Sequence, residues 1–230
     1  PGNEQQSQWL KVRQEKPDWV ILRGWGVMNP TAIKAAAKIG FPRDKIVGVW
    51  WSGAEEDTIP AGDAAKGFIA AGFNVGGTNY PVVKAIQDNV YKKNKGNMED
   101  KTRIGSIYYN RGVVHGIIAV EAIRTAQAKY GKGQVMTGEQ MRWGFENLNI
   151  DTKRLKELGA EGFMPDMKVT CLDHEGSGKV KFQQWDGKQW KVISDWIDAD
   201  KELVRPMIEE SAAKYAKEKG ITPRDCSKES

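Results

Sequence analysis

In VILRGWGVMNPTAIKAAAKIGF, residues 20–41, an apolar run ends in Gly24-Trp25-Gly26 and a helical pattern follows. The spacing is that of G-x-G-x-x-G, with Asn29 where the third glycine would stand. A dinucleotide site uses that glycine for close helix–strand packing, a free helix N-terminus for the pyrophosphate, and an acid near the end of the next strand for the ribose hydroxyl. Here Asn29-Pro30 replaces the close approach. The next apolar run ends in Trp50-Trp51-Ser52 with no acid, and Glu55 comes late, beyond Gly53. Two of the three requirements fail, and the glycines then serve a tight strand-to-helix turn. The indoles need another explanation. Trp25, Trp50 and Trp51 fall at the carboxyl ends of adjacent strands, where open α/β sheets bind ligands.

Other reactive residue types carry less. Ser52 lacks a G-x-S-x-G frame and a histidine partner. Glu55-Glu56-Asp57 reads as a solvated loop, because three consecutive carboxylates cannot all converge on one ion. His115 falls inside a long helical pattern and reads as structural. Asp173-His174-Glu175 resembles a metal or acid–base cluster, but adjacent residues of an extended segment alternate faces. Gly176 and Gly178 follow, so a hinge turn is the better reading. Cys171 and Cys226 allow one disulfide or two free thiols. No C-x-x-C is present, so neither a zinc knuckle nor a thioredoxin-type pair is supported. No residue is assigned to catalysis, metal or cofactor.

The elements that must position the indoles follow from patterning. The chain has 230 residues, a formal charge of +5 and ordinary apolar content, enough for one large domain or two small ones. Its densest basic run, Lys92-Lys93-Asn94-Lys95, has no interleaved aromatics and reads as a solvated loop, with no nucleic acid as partner. The longest apolar candidate, Gly112–Ala122, is too short to span a bilayer and carries His115 and Glu121. No signal peptide is visible, and a start at Pro1 rather than Met is read as processing, trimming or truncation.

The spacing predicts a helix over 5–15, ended by Pro17, and strands over 19–22, 46–51 and 68–75. Asn29 is expected to cap a helix that Pro30 opens and Gly40 stops. The segment 54–66 is polar and acidic. Helices follow over 82–92, 108–130 (apolar stripe Val113, Ile117, Val120, Ala122, Ile123, Ala126), 137–147 (capping box Thr137/Gln140) and 151–160. VKFQQWDGKQWKVI reads as a hairpin turning at Asp186-Gly187, and a last helix runs over 200–219. Apolar strands alternating with helices imply a parallel sheet covered on both faces.

The sequence resembles the periplasmic substrate-binding proteins of branched-chain amino-acid ABC transporters. The carriers are DWVILRGWGVMNPTAIKAAAKIGF, IVGVWWSGAEED, GDAAKGF, YYNRGVVHGIIAVEAIRTAQ, TGEQMRWGFENL, CLDHEGSGKVKFQQWDGKQW and KGITPRDC. They extend over nearly the whole chain, and their order and spacing, more than any one of them, make the match specific. The resemblance implies an α/β, type I periplasmic-binding fold with two Rossmann-like lobes, here incomplete. Residues 1–76 would belong to the C-terminal lobe and 77–176 to the N-terminal lobe. Residues 177–230 would cross back and return to the C-terminal lobe with its last helix. The family's opening βα series and its Ser/Thr ligand loops would precede residue 1.

Carried onto this chain, the family's ligand aromatic falls on Trp25. The acid that pairs a ligand ammonium group falls on Trp50 or Trp51, where this sequence has no acid. An indole face can hold a cation but cannot accept a hydrogen bond as a carboxylate does. The expected ligand-binding set is Trp25, Gly26, Met28, Asn29, Trp50, Trp51 and Ser52. The expected ligand is a branched-chain amino acid, an amide or an aromatic-type small molecule, and the expected partner an ABC permease. Export to the periplasm or cell surface is implied, an environment that permits a Cys171–Cys226 bond. Two other readings stay open: a nucleotide-cofactor enzyme on a Rossmann-like sheet, and a ligand sensor on the same fold.

Overall fold

The structure is a computed structural model and describes residues 2–228. In chain order the elements are α1 (Gln6–Glu15), β1 (Val20–Leu22), α2 (Met28–Lys38), β2 (Ile46–Gly48), α3 (Glu55–Thr58), β3 (Ile69–Gly72), α4 (Pro81–Ile86), α5 (Ile107–Tyr130), α6 (Gly138–Glu146), β4 (Asn149–Ile150), α7 (Thr152–Glu157), β5 (Met167–Lys168), β6 (Lys181–Trp185), β7 (Trp190–Val192) and α8 (Lys201–Lys219). Contacts divide the chain into two compact units. One takes the chain up to Gly116 with Leu155–Pro165 and Val180–Ile197. The second takes Ile117–Arg154, Asp166–Lys179 and the chain from Asp198 on.

The first unit holds a five-stranded sheet in the order β1-β2-β3-β6-β7. β1, β2 and β3 are parallel, with Val20 opposite Ile46 and Val47 opposite Ile69. β6 and β7 add as an antiparallel pair, Gln184 opposite Ile69, so the sheet is mixed rather than wholly parallel. Ile33 and Ala36 of α2, Trp9 of α1, Ile46, Phe68, Ala70 and Trp185 form its core. β1 is an edge strand, and Ile21 on it is 79% exposed.

Several elements differ from expectation. The strand expected over 46–51 stops at Gly48, and Trp50–Ser52 form a tight 3₁₀ turn. Gly48 permits this: a Cβ there would lie 2.7 Å from the Ser52 Cβ and 2.8 Å from the Phe68 ring. The strand expected over 68–75 is confined to Ile69–Gly72. Asn29 does not cap α2. Val27 is the N-cap and makes no side-chain cap, while Asn29 lies inside the first turn and is fully buried. The hairpin loop runs over Asp186–Gln189, closed by Asp186 N–H on Gln189 O, and of the DG pair only Gly187 takes positive φ.

The second unit holds the later part of α5, α6, the short β4–β5 pair and α8, which buries none of its residues. α5 buries Val114, Ile117, Ala122 and Ala126, while Val120 and Ile123 are exposed, so the buried stripe is narrower than the apolar pattern. Thr137 and Gln140 form the expected capping box of α6. Gly144 of α6 lies against α5, where a Cβ would come 2.4 Å from Ala122 O. Backbone cannot yield as a side-chain tip can. Gly144→Ala is therefore expected to destabilise the chain by about 1–3 kcal/mol, checked by urea unfolding.

Cys171 and Cys226 are joined in a disulfide with a Cα–Cα distance of 5.7 Å. Beside it, buried Glu146 accepts from Arg224 Nη2 at 2.6 Å and Arg142 Nη1 at 2.8 Å, with His174 Nε2 at 3.2 Å. Burial works to raise its pKa, but the Arg224 hydrogen bond and charge, with Arg142 and His174, outweigh it. Glu146 is held below its ordinary value of 4.5. A lowered carboxyl stabilises the fold above its unfolded pKa, and that contribution is lost as pH falls through the folded one. Glu146→Gln is expected to cost about 1–3 kcal/mol at pH 7, with wild type and variant converging as the pH drops below 4.5. Urea titrations at pH 7 and in acid test it; a gap that is unchanged in acid contradicts it.

Candidate functional site: two tryptophan turns

Trp25 follows β1 by three residues and Trp50 follows β2 by two, so both turns leave the carboxyl ends of adjacent parallel strands. All three indoles are open: Trp25 is 62%, Trp50 42% and Trp51 48% exposed. Exposed apolar side chains that gather at one place mark interaction sites, whereas single ones need no explanation. Gly26, at φ +54°, turns the first segment, and Met28, half-buried, opens α2.

Beneath the indoles lies a buried polar network. Ser52, fully buried, donates from Oγ to Gly24 O at 3.1 Å, tying the second turn to the first. Asn29 Nδ2 donates to Trp51 O and to Asp57 Oδ1, both at 2.7 Å. Its Oδ1 lies where a Cβ on residue 24 would meet it at 2.4 Å. Gly24 is thus required by the Asn29 amide, which answers the G-x-G-x-x-N spacing without a phosphate. Asp57 Oδ2 also accepts from Ala54 N–H at 2.9 Å and Tyr108 Oη at 3.2 Å. Arg111 Nη2 donates to Trp50 O at 2.8 Å.

Asp57 and Glu55 therefore do not form a solvated loop, as their run of charge implied. Asp57 is buried, and Glu55 Oε2 accepts the Ile107 N–H at 2.9 Å. Desolvation pushes both carboxyls up, and their hydrogen bonds hold them back. Burial, with the Asp57 charge, raises the Tyr108 hydroxyl to about 12, so it stays a donor. Among the described residues no group of three or more metal-ligating side chains is present, and no helix is long and apolar enough to cross a membrane.

The structure brings Asn29 and Ser52 together with the backbone of both turns, and leaves Trp25, Trp50 and Trp51 on the surface. Pattern reading missed Asp57, Tyr108 and Arg111. One signal was available for Arg111. Asn110-Arg111 stand on the buried side of an apolar helix, three and four residues from Ile107 and Val114.

A parallel βαβ series with open aromatic turns at the strand carboxyl ends describes the class of open α/β ligand-binding domains. The family model for periplasmic binding proteins matches residues 1–189, and the chain belongs to that family. A search of curated proteins returns no match. Among solved structures, one from the Pseudomonas fluorescens group, described as an ABC transporter permease, is 50% identical. It has a TM-score of 0.93 over 98% of this chain and 54% of that chain. A branched-chain amino-acid ABC transporter protein from Thermus thermophilus with bound valine is 18% identical (TM-score 0.66, 88% of this chain, 52% of that chain). An R. palustris solute-binding protein in complex with benzoate is 15% identical (TM-score 0.57, 87% and 49%). The last two show the fold alone. The chain spans about half the length of the solved proteins it matches.

Proposed function

We propose that the chain is part of a periplasmic solute receptor that captures a small molecule and delivers it to an ABC permease. The observation that supports this most is the set of three exposed indoles at the carboxyl ends of adjacent parallel strands, on turns fixed by buried hydrogen bonds. Trp25, Trp50 and Trp51 would contact the ligand. Gly26 would let it approach the backbone, and Met28 would lie at the margin. Asn29 and Ser52, both buried, would hold the turns rather than touch the ligand. An exported location, with capture by closing lobes formed from 1–76 with 177–230 and from 77–176, belongs to the same proposal.

The chemistry favours an aromatic or amide ligand over a zwitterionic amino acid. The indole turns carry no exposed acid, and Asp57, the carboxylate beneath them, is already bonded to three donors. The ligands of the fold neighbours, valine in one and benzoate in another, define a fair panel. Titration calorimetry with valine, benzoate, benzamide, NAD and ATP is expected to show binding of benzoate or benzamide. Tight binding of a nucleotide, with none of the small molecules bound, would end the receptor reading.

A further inference from the structure

One cation holds the second tryptophan turn from far along the chain. Arg111 lies in the first turns of α5 and is only 5% exposed. Its Nη2 donates to Trp50 O at 2.8 Å, and its Nε donates to Asn74 Oδ1 at 3.2 Å. Asn74 in turn donates from Nδ2 to Ile107 O at 3.0 Å, one turn before Arg111. The guanidinium carbon stands 5.5 Å from the Trp51 ring centroid, 4.8 Å from Phe73 and 5.1 Å from Tyr108.

Burying a guanidinium is unfavourable unless its donor fork and its faces are both used. Here Nη2 reaches the Trp50 carbonyl, Nε reaches Asn74 and a face meets the Trp51 ring, while Nη1 is buried with no hydrogen-bond partner among the described residues. Trp51 is a half-exposed side chain on a three-residue turn, with the Tyr108 ring 6.5 Å away as its aromatic neighbour, and exposed side chains change rotamer on fast timescales. A contact that fixes the Trp51 ring removes freedom the ligand would otherwise have to remove.

We propose that Arg111 is a positioning residue that holds the Trp50–Trp51 turn through its backbone and sets the Trp51 indole in the pose that takes a ligand. The proposal rests on the reading that these indoles meet the ligand. It also narrows the ligand class. A pre-set indole favours a rigid planar molecule, which stacks with little loss of its own freedom, over a flexible aliphatic one.

Arg111→Lys tests this, because it keeps the charge and loses the planar fork. Near-UV circular dichroism and acrylamide quenching report the indoles, each read against Trp51→Phe, and benzoate titration reports binding. The expected result is loss of the Trp51 contribution to the dichroism, greater quenching, and benzoate affinity lower by about tenfold. In the Arg111→Lys/Trp51→Phe double variant the losses should not add, since both act through one indole. An unchanged indole signature, or fully additive losses, would overturn the proposal. If wild type binds neither benzoate nor benzamide, the receptor reading fails, and the dichroism still decides whether Arg111 holds Trp51. Should the Lys variant not fold, ¹⁵N spectra of the wild-type Arg111 guanidinium decide it. A held fork gives resolved, slowly exchanging Nη signals, and a single averaged signal refutes it.

Discussion

Asp57→Ala is expected to destabilise the chain by about 2–4 kcal/mol. The carboxylate is buried and accepts from Asn29 Nδ2, Ala54 N–H and Tyr108 Oη. Removing it takes an acceptor from three donors; Asn29 Nδ2 and the half-buried Tyr108 Oη keep Trp51 O within reach, and each donor left unpaired costs about 1–3 kcal/mol. Asp57→Asn should cost less, because its amide oxygen still accepts while its NH₂ meets donors. The pH dependence has a definite sign. Burial raises the Asp57 pKa above its ordinary 3.8, so ionisation is harder in the folded state than in the unfolded one. The associated penalty enters as pH rises from 3.8 through the folded pKa and stays constant above it. Urea unfolding between pH 3 and 7 measures both effects. A loss for Asp57→Ala below about 1 kcal/mol would show that the network does not carry the turns.

Cys226→Ser is expected to lower stability by about 4 kcal/mol, the chain-entropy figure for a closed loop of this length. The bonded pair is separated by 55 residues, and the bond also keeps Arg224 where it meets Glu146 at 2.6 Å and Cys171 Sγ at 2.8 Å. The effect should fall mainly on the second unit, which contains both cysteines and Glu146. Adding dithiothreitol to wild type should reproduce the variant's loss and leave the variant itself unchanged. Equal unfolding midpoints with and without reductant would contradict this. Thiol titration of the unfolded, unreduced wild type should find no free thiol on either cysteine.

The sequence made the local decisions legible. Period and caps located α1, α6 and α8, the apolar runs located the three parallel strands, and Gly24-Trp25-Gly26 marked the first turn. Its limits lie where contacts join distant residues. Glu55-Glu56-Asp57 reads as a wet acidic loop because nothing nearby in sequence neutralises it. Its partners are Asn29 and Tyr108, 28 and 51 residues away. Asn29 before Pro30 has the form of a helix cap, yet long-range bonds to Trp51 and Asp57 claim its amide instead. The sequence reads as a strand over 46–51 because Val49, Trp50 and Trp51 are good strand formers. The close packing of Gly48 against Ser52 and Phe68 ends the strand earlier. The cysteines could be counted but not paired, since pairing depends on a distance that no local pattern encodes.

The tryptophan turns are the centre of the functional account, and alanine substitution of their indoles tests it most directly. Trp25→Ala, Trp50→Ala and Trp51→Ala should each be titrated with benzoate and benzamide by calorimetry, with thermal unfolding measured alongside. At least two of the three are predicted to weaken binding by about 1–3 kcal/mol while the unfolding temperature stays near that of wild type, because the side chains removed are exposed. Wild-type affinity in all three variants would show that the ligand is held elsewhere and would contradict the account.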